Sequence, residues 1–173
     1  STKFVPEYLK SLPFTLTNAQ VQAHKTIASD LNKTVAMLRL MQGDVGSGKT
    51  VVAALAALQA IEAGYQVAIM APTELLASQH YNNFLSWLEP LGINVVFLTG
   101  KLKQSIRDSV EAQLKKQMPV IVIGTHVLFQ DSTRFAKLGL IVIDEQHRFG
   151  VHQRLALLEK GKQHDKYPHQ LIM

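Results

Sequence analysis

The feature that most constrains this chain is the stretch Gly43-Asp44-Val45-Gly46-Ser47-Gly48-Lys49-Thr50, set between an apolar run that ends at Gln42 and an Ala-rich segment over 49–63. Its spacing is G-x-x-x-x-G-K-[ST], the Walker A phosphate loop. Glycines at this density let successive backbone N–H groups turn toward one anion. A helix starting at about Lys49 would aim its positive end at the same place. In such a loop Lys49 reaches the β and γ phosphates and the Thr50 hydroxyl ligates Mg²⁺. A plain glycine turn before a helix is the competing account. Four fixed residue types in this pattern arise by chance in on the order of 1% of chains this long.

The rest of the chain alternates in the way such a loop requires. Thr17 and Gln20 have the T-x-x-Q spacing of a capping box, and Val21, Ile27, Ala28 and Leu31 follow at helical intervals, so 17–31 reads as a helix. Strand-like apolar runs are expected over 35–42, 65–71, 93–98, 119–124 and 138–144, with another beginning at 169. Helices are expected over 49–63 with Gly64 as a C-terminal cap, over 73–88 with Pro90 beyond its end, over 103–117 and over 151–161. Continuous apolar strands imply a sheet covered on both faces, and helices between strands imply a mainly parallel sheet. The expected fold is therefore α/β, a P-loop nucleotide-binding domain with helices on both faces. Residues 1–13, with Pro6 and Pro13 and no clear period, read as an arm or the tail of a linker, and 14–173 as the domain. The chain stops at an apolar run, so it reads as a piece of a longer protein.

A second motif closes the last long strand: Leu140-Ile141-Val142-Ile143 runs into Asp144-Glu145-Gln146-His147. Two acids at the end of an apolar strand match a Walker B segment. Asp144 would hold Mg²⁺, and Glu145 would orient and deprotonate an attacking water. Strands ending at Gln42 and Asp144 would bring both motifs to the C-terminal edge of one sheet, where ligands bind in open α/β folds.

Composition removes several other classes. There is no cysteine, which excludes disulfides, thiolate catalysis and Cys-based metal sites. The seven histidines show no H-E-x-x-H spacing, and His147 and His152 are a poor helical metal pair. No apolar run reaches the ~18 residues of a membrane span, and no N-terminal stretch has the basic head, apolar middle and small-residue cleavage site of a signal peptide; with no cysteine, a cytoplasmic protein is expected. The excess of 18 Lys and Arg over 13 Asp and Glu permits a nucleic-acid partner without requiring one. Asn32-Lys33-Thr34-Val35 lacks the Asp of a guanine-reading N-K-x-D motif and precedes the phosphate loop, which argues against a GTPase.

D-E-Q-H after G-D-V-G-S-G-K-T resembles the DEx[HD]-box set of superfamily 2 helicases. The stretches LPFTLTNAQ, MLRLMQGDVGSGKT, APTELLASQH, LTGKLK, GTHVL and DEQHRFGVHQR are similar to those of the RecG family of branch-migration helicases, in that family's order and over about residues 12–173. The runner-up likeness, carried by the RFGV-x-Q-R tail, is to transcription-repair coupling factors, which contact RNA polymerase; the D-E-Q-H box favours the RecG family.

The resemblance implies the first RecA-like motor domain of an ATP-dependent enzyme acting on branched DNA, with ATP and Mg²⁺ as cofactors. Such an enzyme reverses stalled forks and migrates Holliday junctions. It implies that a second RecA-like domain and an N-terminal wedge domain lie elsewhere, that the piece stops before motif III, and that it is bacterial, monomeric and free of membrane partners. Without an arginine finger the piece alone would turn over feebly.

Residue by residue, the resemblance gives Gln20, with Phe14 and Thr17 nearby, the reading of adenine; the capping box gives Gln20 a structural task, and the two can coexist. Thr73 and Glu74 match motif Ia, Thr99, Gly100 and Lys103 motif Ib, and Gly124, Thr125 and His126 the segment called Ic, all along a DNA track; helix capping is the plainer role for Thr73 and Thr125. His147 would join Lys49, Asp144 and Glu145 in the catalytic set by linking the nucleotide to the DNA track, or is a structural histidine. Arg148, Gln153 and Arg154 are motif residues or a solvated basic turn.

Overall fold

The computed structural model describes residues 3–41, 47–130, 132–144, 159 and 167–173. Its elements in chain order are α1 (Phe4–Ser11), α2 (Asn18–Leu31), β1 (Leu38–Leu40), α3 (Ser47–Glu62), β2 (Gln66–Met70), α4 (Glu74–Leu88), β3 (Val95–Leu98), α5 (Gln104–Lys115), β4 (Ile121–Gly124), β5 (Leu138–Ile143) and β6 (His169–Ile172). The helix expected over 151–161 lies outside the described residues, apart from Glu159.

The strands form one six-stranded sheet in the order β1-β6-β5-β2-β4-β3. Every adjacent pair is parallel. A parallel sheet must be covered on both faces, and the alternation of side chains along each strand divides the core accordingly. Val67, Ile69, Ile121, Ile123, Leu140 and Val142 pack with α1, α2, α3 and α4. Ala68, Met70, Val122, Ile141 and Ile143 pack with Val110 and Leu114 of α5 and with Val127, Leu128 and Phe135. The Ala-rich helix α3 sits at the centre of the first layer, with Val51 through Leu58 all buried.

Local chemistry ends these elements where the sequence places the signals. Thr17 and Gln20 form the full capping box at the start of α2. At the end of α3 the Gly64 N–H donates to Ile61 O and the Tyr65 N–H to Ala60 O, with Gly64 at φ +90°, a left-handed cap that favours glycine. Gln66 is polar yet fully buried; its Nε2 donates to Leu114 O and Lys116 O, and its Oε1 accepts from Lys137 N, so the amide closes the end of α5.

Two expectations are corrected. Residues 4–11, within the stretch read as an arm or the tail of a linker with no clear period, form α1, because Phe4, Val5, Tyr8 and Leu9 fall on one helical face that packs on the core. Pro6 is the third residue of that helix, where an N–H would have no intrahelical acceptor in any case. The strand expected over 35–42 shortens to Leu38–Leu40, and Leu38 and Leu40 are exposed rather than buried. β1 lies at the edge of the sheet and pairs with β6 alone. Its central Arg39 is spent on an ion pair with Asp30 of α2, at 2.7 Å.

Candidate functional site

The motif residues collect at one rim because parallel strands all end on the same side. The ladder continues one residue past each strand: Met41 N–H donates to Ile172 O, Met173 N–H to Ile143 O, Asp144 N–H to Met70 O, and Ala71 N–H to Gly124 O. Asp144, Thr73, Thr125 and Thr99 therefore all stand at or just beyond the C-terminal ends of their strands. Thr50 lies in the first turn of α3, which begins at Ser47 and is the next described element after β1.

Side-chain alternation decides which way Asp144 faces. It continues the series Leu140, Val142, which packs on the layer containing α3 and α4, and so it turns toward the face that carries Lys49 and Thr50. The carboxylate is 4% exposed and Thr50 is 9% exposed, while Lys49 is half-buried. Burying a carboxylate this deeply is costly unless its oxygens are bonded. One partner is His80 of α4, whose Nε2 lies 2.7 Å from Asp144 Oδ2. An ionised carboxylate only accepts, so the imidazole N–H donates. A carboxylate and a hydroxyl are both oxygen donors, the type that suits a hard divalent cation such as Mg²⁺.

Gln20 joins α2 to the start of α3. Its Oε1 accepts from Thr17 N at 2.8 Å, and its Nε2 donates to Gly48 O at 3.4 Å. Both ends of the amide are thus engaged, between the start of α2 and the first turn of α3. A Cβ at position 48 would come within 2.9 Å of Gln20 Nε2, so a larger residue there would displace the end of the Gln20 side chain. Phe14 is exposed nearby in sequence.

Farther along the rim, the residues matched to motifs Ia, Ib and Ic separate by burial. Thr73, Gly100, Lys103 and His126 are exposed, and Glu74 is partly buried. Thr99 and Thr125 are each 2% exposed, beneath them. Thr73 caps α4, its Oγ1 accepting from Leu76 N at 3.2 Å. Thr125 caps nothing: its Oγ1 is buried without a hydrogen-bond partner. Lys101 Nζ lies 3.5 Å from Glu74 Oε2, which brings the first turn of α4 beside the turn after β3.

Gly43, Asp44, Val45, Gly46, Glu145, His147, Arg148, Gln153 and Arg154 lie outside the described residues, and of Ser47 only the backbone is described. A cleft of about 640 Å³ opens at the opposite, N-terminal rim between Leu31, Gln59, Tyr65, Lys137 and Tyr167, and among the described residues no motif residue lines it. Sequence reasoning missed His80. The signal was present: Ala77, His80, Phe84 and Leu88 form the buried stripe of α4, and an imidazole in such a stripe needs a polar partner.

The sequence fits the family model of the DEAD/DEAH box helicases over residues 17–173. It is 56% identical over 172 residues to the ATP-dependent DNA helicase RecG of Pasteurella multocida, an alignment covering 99% of this chain and 25% of that protein. It is 56% identical over 165 residues to RecG of Escherichia coli K12, covering 95% of this chain and 24% of that protein. The chain thus spans about a quarter of the length of the curated relatives it matches. Among solved structures, RecG bound to a three-way DNA junction superposes with a TM-score of 0.87 at 44% identity, over 100% of this chain and 22% of that one. A hypothetical ATP-dependent RNA helicase from Sulfolobus tokodaii superposes with a TM-score of 0.71 at 16% identity, over 99% of this chain and 50% of that one, a likeness of fold alone.

Proposed function

The chain belongs to the DEAD/DEAH box helicase family, and from that premise we propose that it is the first ATP-binding motor domain of a RecG-type, ATP-dependent DNA helicase that remodels branched DNA in the bacterial cytoplasm. The observation that carries this reading is the gathering of Thr50, Thr73, Thr99, Thr125 and Asp144 at one rim of a single parallel sheet. That rim holds a nucleotide half, around α3 and β5, and a second half at the starts of α4 and α5. The similarity to RecG proteins over nearly the whole chain supports this reading over a motor of a transcription-repair coupling factor.

On the nucleotide half, Lys49 sits in the first turn of α3, where the helix dipole and an ammonium act together on phosphate oxygens. The Walker A pattern assigns Gly43 to Gly48 the backbone N–H groups of a phosphate cradle. Thr50 and Asp144 are the residues that would hold Mg²⁺, which when bound neutralises phosphate charge and polarises the γ-phosphoryl group. Glu145 takes the proton of the attacking water. Gln20 reads adenine from the same α2 terminus that it caps. His147 connects this half to the DNA-bound half.

On the other half, Thr73, Glu74, Gly100, Lys103 and His126 line a track for the DNA backbone, with Thr99 and Thr125 below it. Such contacts position a strand without reading its sequence. The parent enzyme adds a second RecA-like domain and a wedge domain, and nucleotide turnover opens and closes the motor on the DNA.

The test is unwinding of a synthetic three-way junction. The full-length helicase containing this chain is expected to unwind it with ATP and Mg²⁺. The 173-residue chain alone is expected to bind Mg²⁺-nucleotide weakly and to unwind nothing. Robust unwinding by the chain alone would overturn its reading as one half of a motor, and no junction activity in the full-length protein would overturn the substrate class.

A further inference from the structure

We propose that His80 is a positioning residue that ties Asp144 to helix α4 and so couples DNA at the start of that helix to the cation site at the nucleotide. This rests on the reading of Asp144 as the acid of an Mg²⁺-nucleotide site.

The stripe of α4 that faces the sheet consists of Ala77, His80, Phe84 and Leu88. Phe84 and Leu88 are 1% and 0% exposed and pack in the core. His80 breaks this apolar series with a polar ring at the level where β5 ends, and its Nε2 meets Asp144 Oδ2 at 2.7 Å with both side chains nearly out of solvent. A hydrogen bond of this kind to a charged acceptor is strong and directional, so it fixes the rotamer of the carboxylate as well as its place. The bond spans 64 residues of sequence and joins two elements that share no strand pairing.

The other end of α4 lies on the DNA half of the rim. Thr73 is the N-cap of α4, seven residues before His80, which is about two turns or ~10 Å along a rigid helix. Thr73 is exposed there, and Glu74 is paired with Lys101 of the turn after β3. A small shift or rotation of α4 on engagement of a DNA backbone moves His80 with it and alters a bond that orients Asp144. Partners that orient a metal-binding carboxylate typically change metal affinity about 10–100-fold when removed.

The experiment uses the full-length helicase that contains this chain, with His80→Leu to remove the N–H at similar volume and His80→Gln to retain a donor in the Nε2 position. His80→Ala replaces His80→Leu if thermal melting shows that the leucine variant does not fold. Two quantities are read: the Mg²⁺ concentration that gives half-maximal binding of a fluorescent ATP analogue, and the ratio of ATP turnover with and without junction DNA. His80→Leu is expected to raise the half-maximal Mg²⁺ concentration about tenfold and to reduce DNA stimulation about fivefold or more, and His80→Gln to recover most of both. Unchanged Mg²⁺ dependence and stimulation in a folded His80→Leu or His80→Ala variant would overturn the coupling, as would a folded His80→Gln variant no better than the leucine one. Lys49→Ala separates the two readings. If it leaves nucleotide binding intact, the nucleotide site itself is misassigned; if it abolishes binding while the His80 variants change nothing, only the role of His80 fails.

Discussion

His80 of α4 and Asp144 at the end of β5 share a buried hydrogen bond of 2.7 Å, which ties the helix capped by Thr73 to the acid at the end of β5. Two features of the fold bring the pair together. Alternation along β5 turns Asp144 to the face that α3 and α4 cover, and the buried stripe of α4 brings the imidazole to the same level.

Helix α1 is part of the domain's core rather than an appendage. Tyr8 is fully buried, its ring 6.0 Å from that of Trp87, and the Phe4 N–H donates to Glu62 at the end of α3. Burial also pushes the Tyr8 phenol far above its ordinary pKa, and its hydroxyl has no hydrogen-bond partner among the described residues. Tyr8→Ala is expected to cost about 3–5 kcal/mol in urea unfolding. Tyr8→Phe, which removes only the unpaired hydroxyl, is expected to be neutral or to stabilise by up to about 1 kcal/mol. A loss below 1 kcal/mol for the alanine variant would show α1 to be dispensable.

The two tasks assigned to Gln20 separate by substitution. Thr17→Ala removes the hydroxyl that accepts from Gln20 N and is expected to cost about 1 kcal/mol of stability with nucleotide affinity unchanged. Gln20→Glu keeps an acceptor for the Thr17 N–H but loses the donor to Gly48 O and to an adenine edge. Stability is expected to hold within about 0.5 kcal/mol while the preference for ATP over other nucleoside triphosphates falls. Titration with a series of nucleotides checks it; an unchanged preference would leave Gln20 with the cap alone.

Stability is expected to fall between pH 7.5 and pH 5.5. Desolvation holds His24 and His169 below their ordinary value of 6.5, with Asp30 partly opposing it at His169. His169 Nδ1 also accepts from the Met37 N–H at 2.9 Å, a bond that a protonated ring cannot make. The folded state therefore binds fewer protons than the unfolded state below 6.5. Their contribution is complete above that value and is lost as pH falls through the lower folded values. Melting temperatures across this range check the slope, and a His169→Asn variant, whose Oδ1 can still accept from Met37, is expected to flatten it. A rise in melting temperature on acidification would contradict the assignment.

What the sequence discloses here depends on whether a residue's environment is local. The runs VAIM, VIVI and LIVI are apolar at every position, so they read correctly as strands buried on both faces. The capping box at Thr17 and the left-handed cap at Gly64 are short-range and form as their spacing says. Helix α1 was hidden because Pro6 and Pro13 punctuate a segment whose period is only one face wide. Leu38 and Leu40 read as core because an apolar run does not say which neighbours will cover it. His80 became legible only once β5 was set across from α4, since a lone histidine in a helix stripe does not name its partner. The burial of Thr99 and Thr125 is likewise set by the rim above them.

The most direct measurement is DNA-stimulated ATP turnover, alongside nucleotide binding, in the full-length helicase carrying Lys49→Ala or Glu145→Gln. Both substitutions are expected to lower turnover about 100-fold or more; Lys49→Ala should also weaken nucleotide binding, whereas Glu145→Gln should spare it, because the amide cannot take the water's proton but leaves the phosphate cradle whole. Turnover that survives both substitutions would contradict the assignment of this rim to ATP hydrolysis.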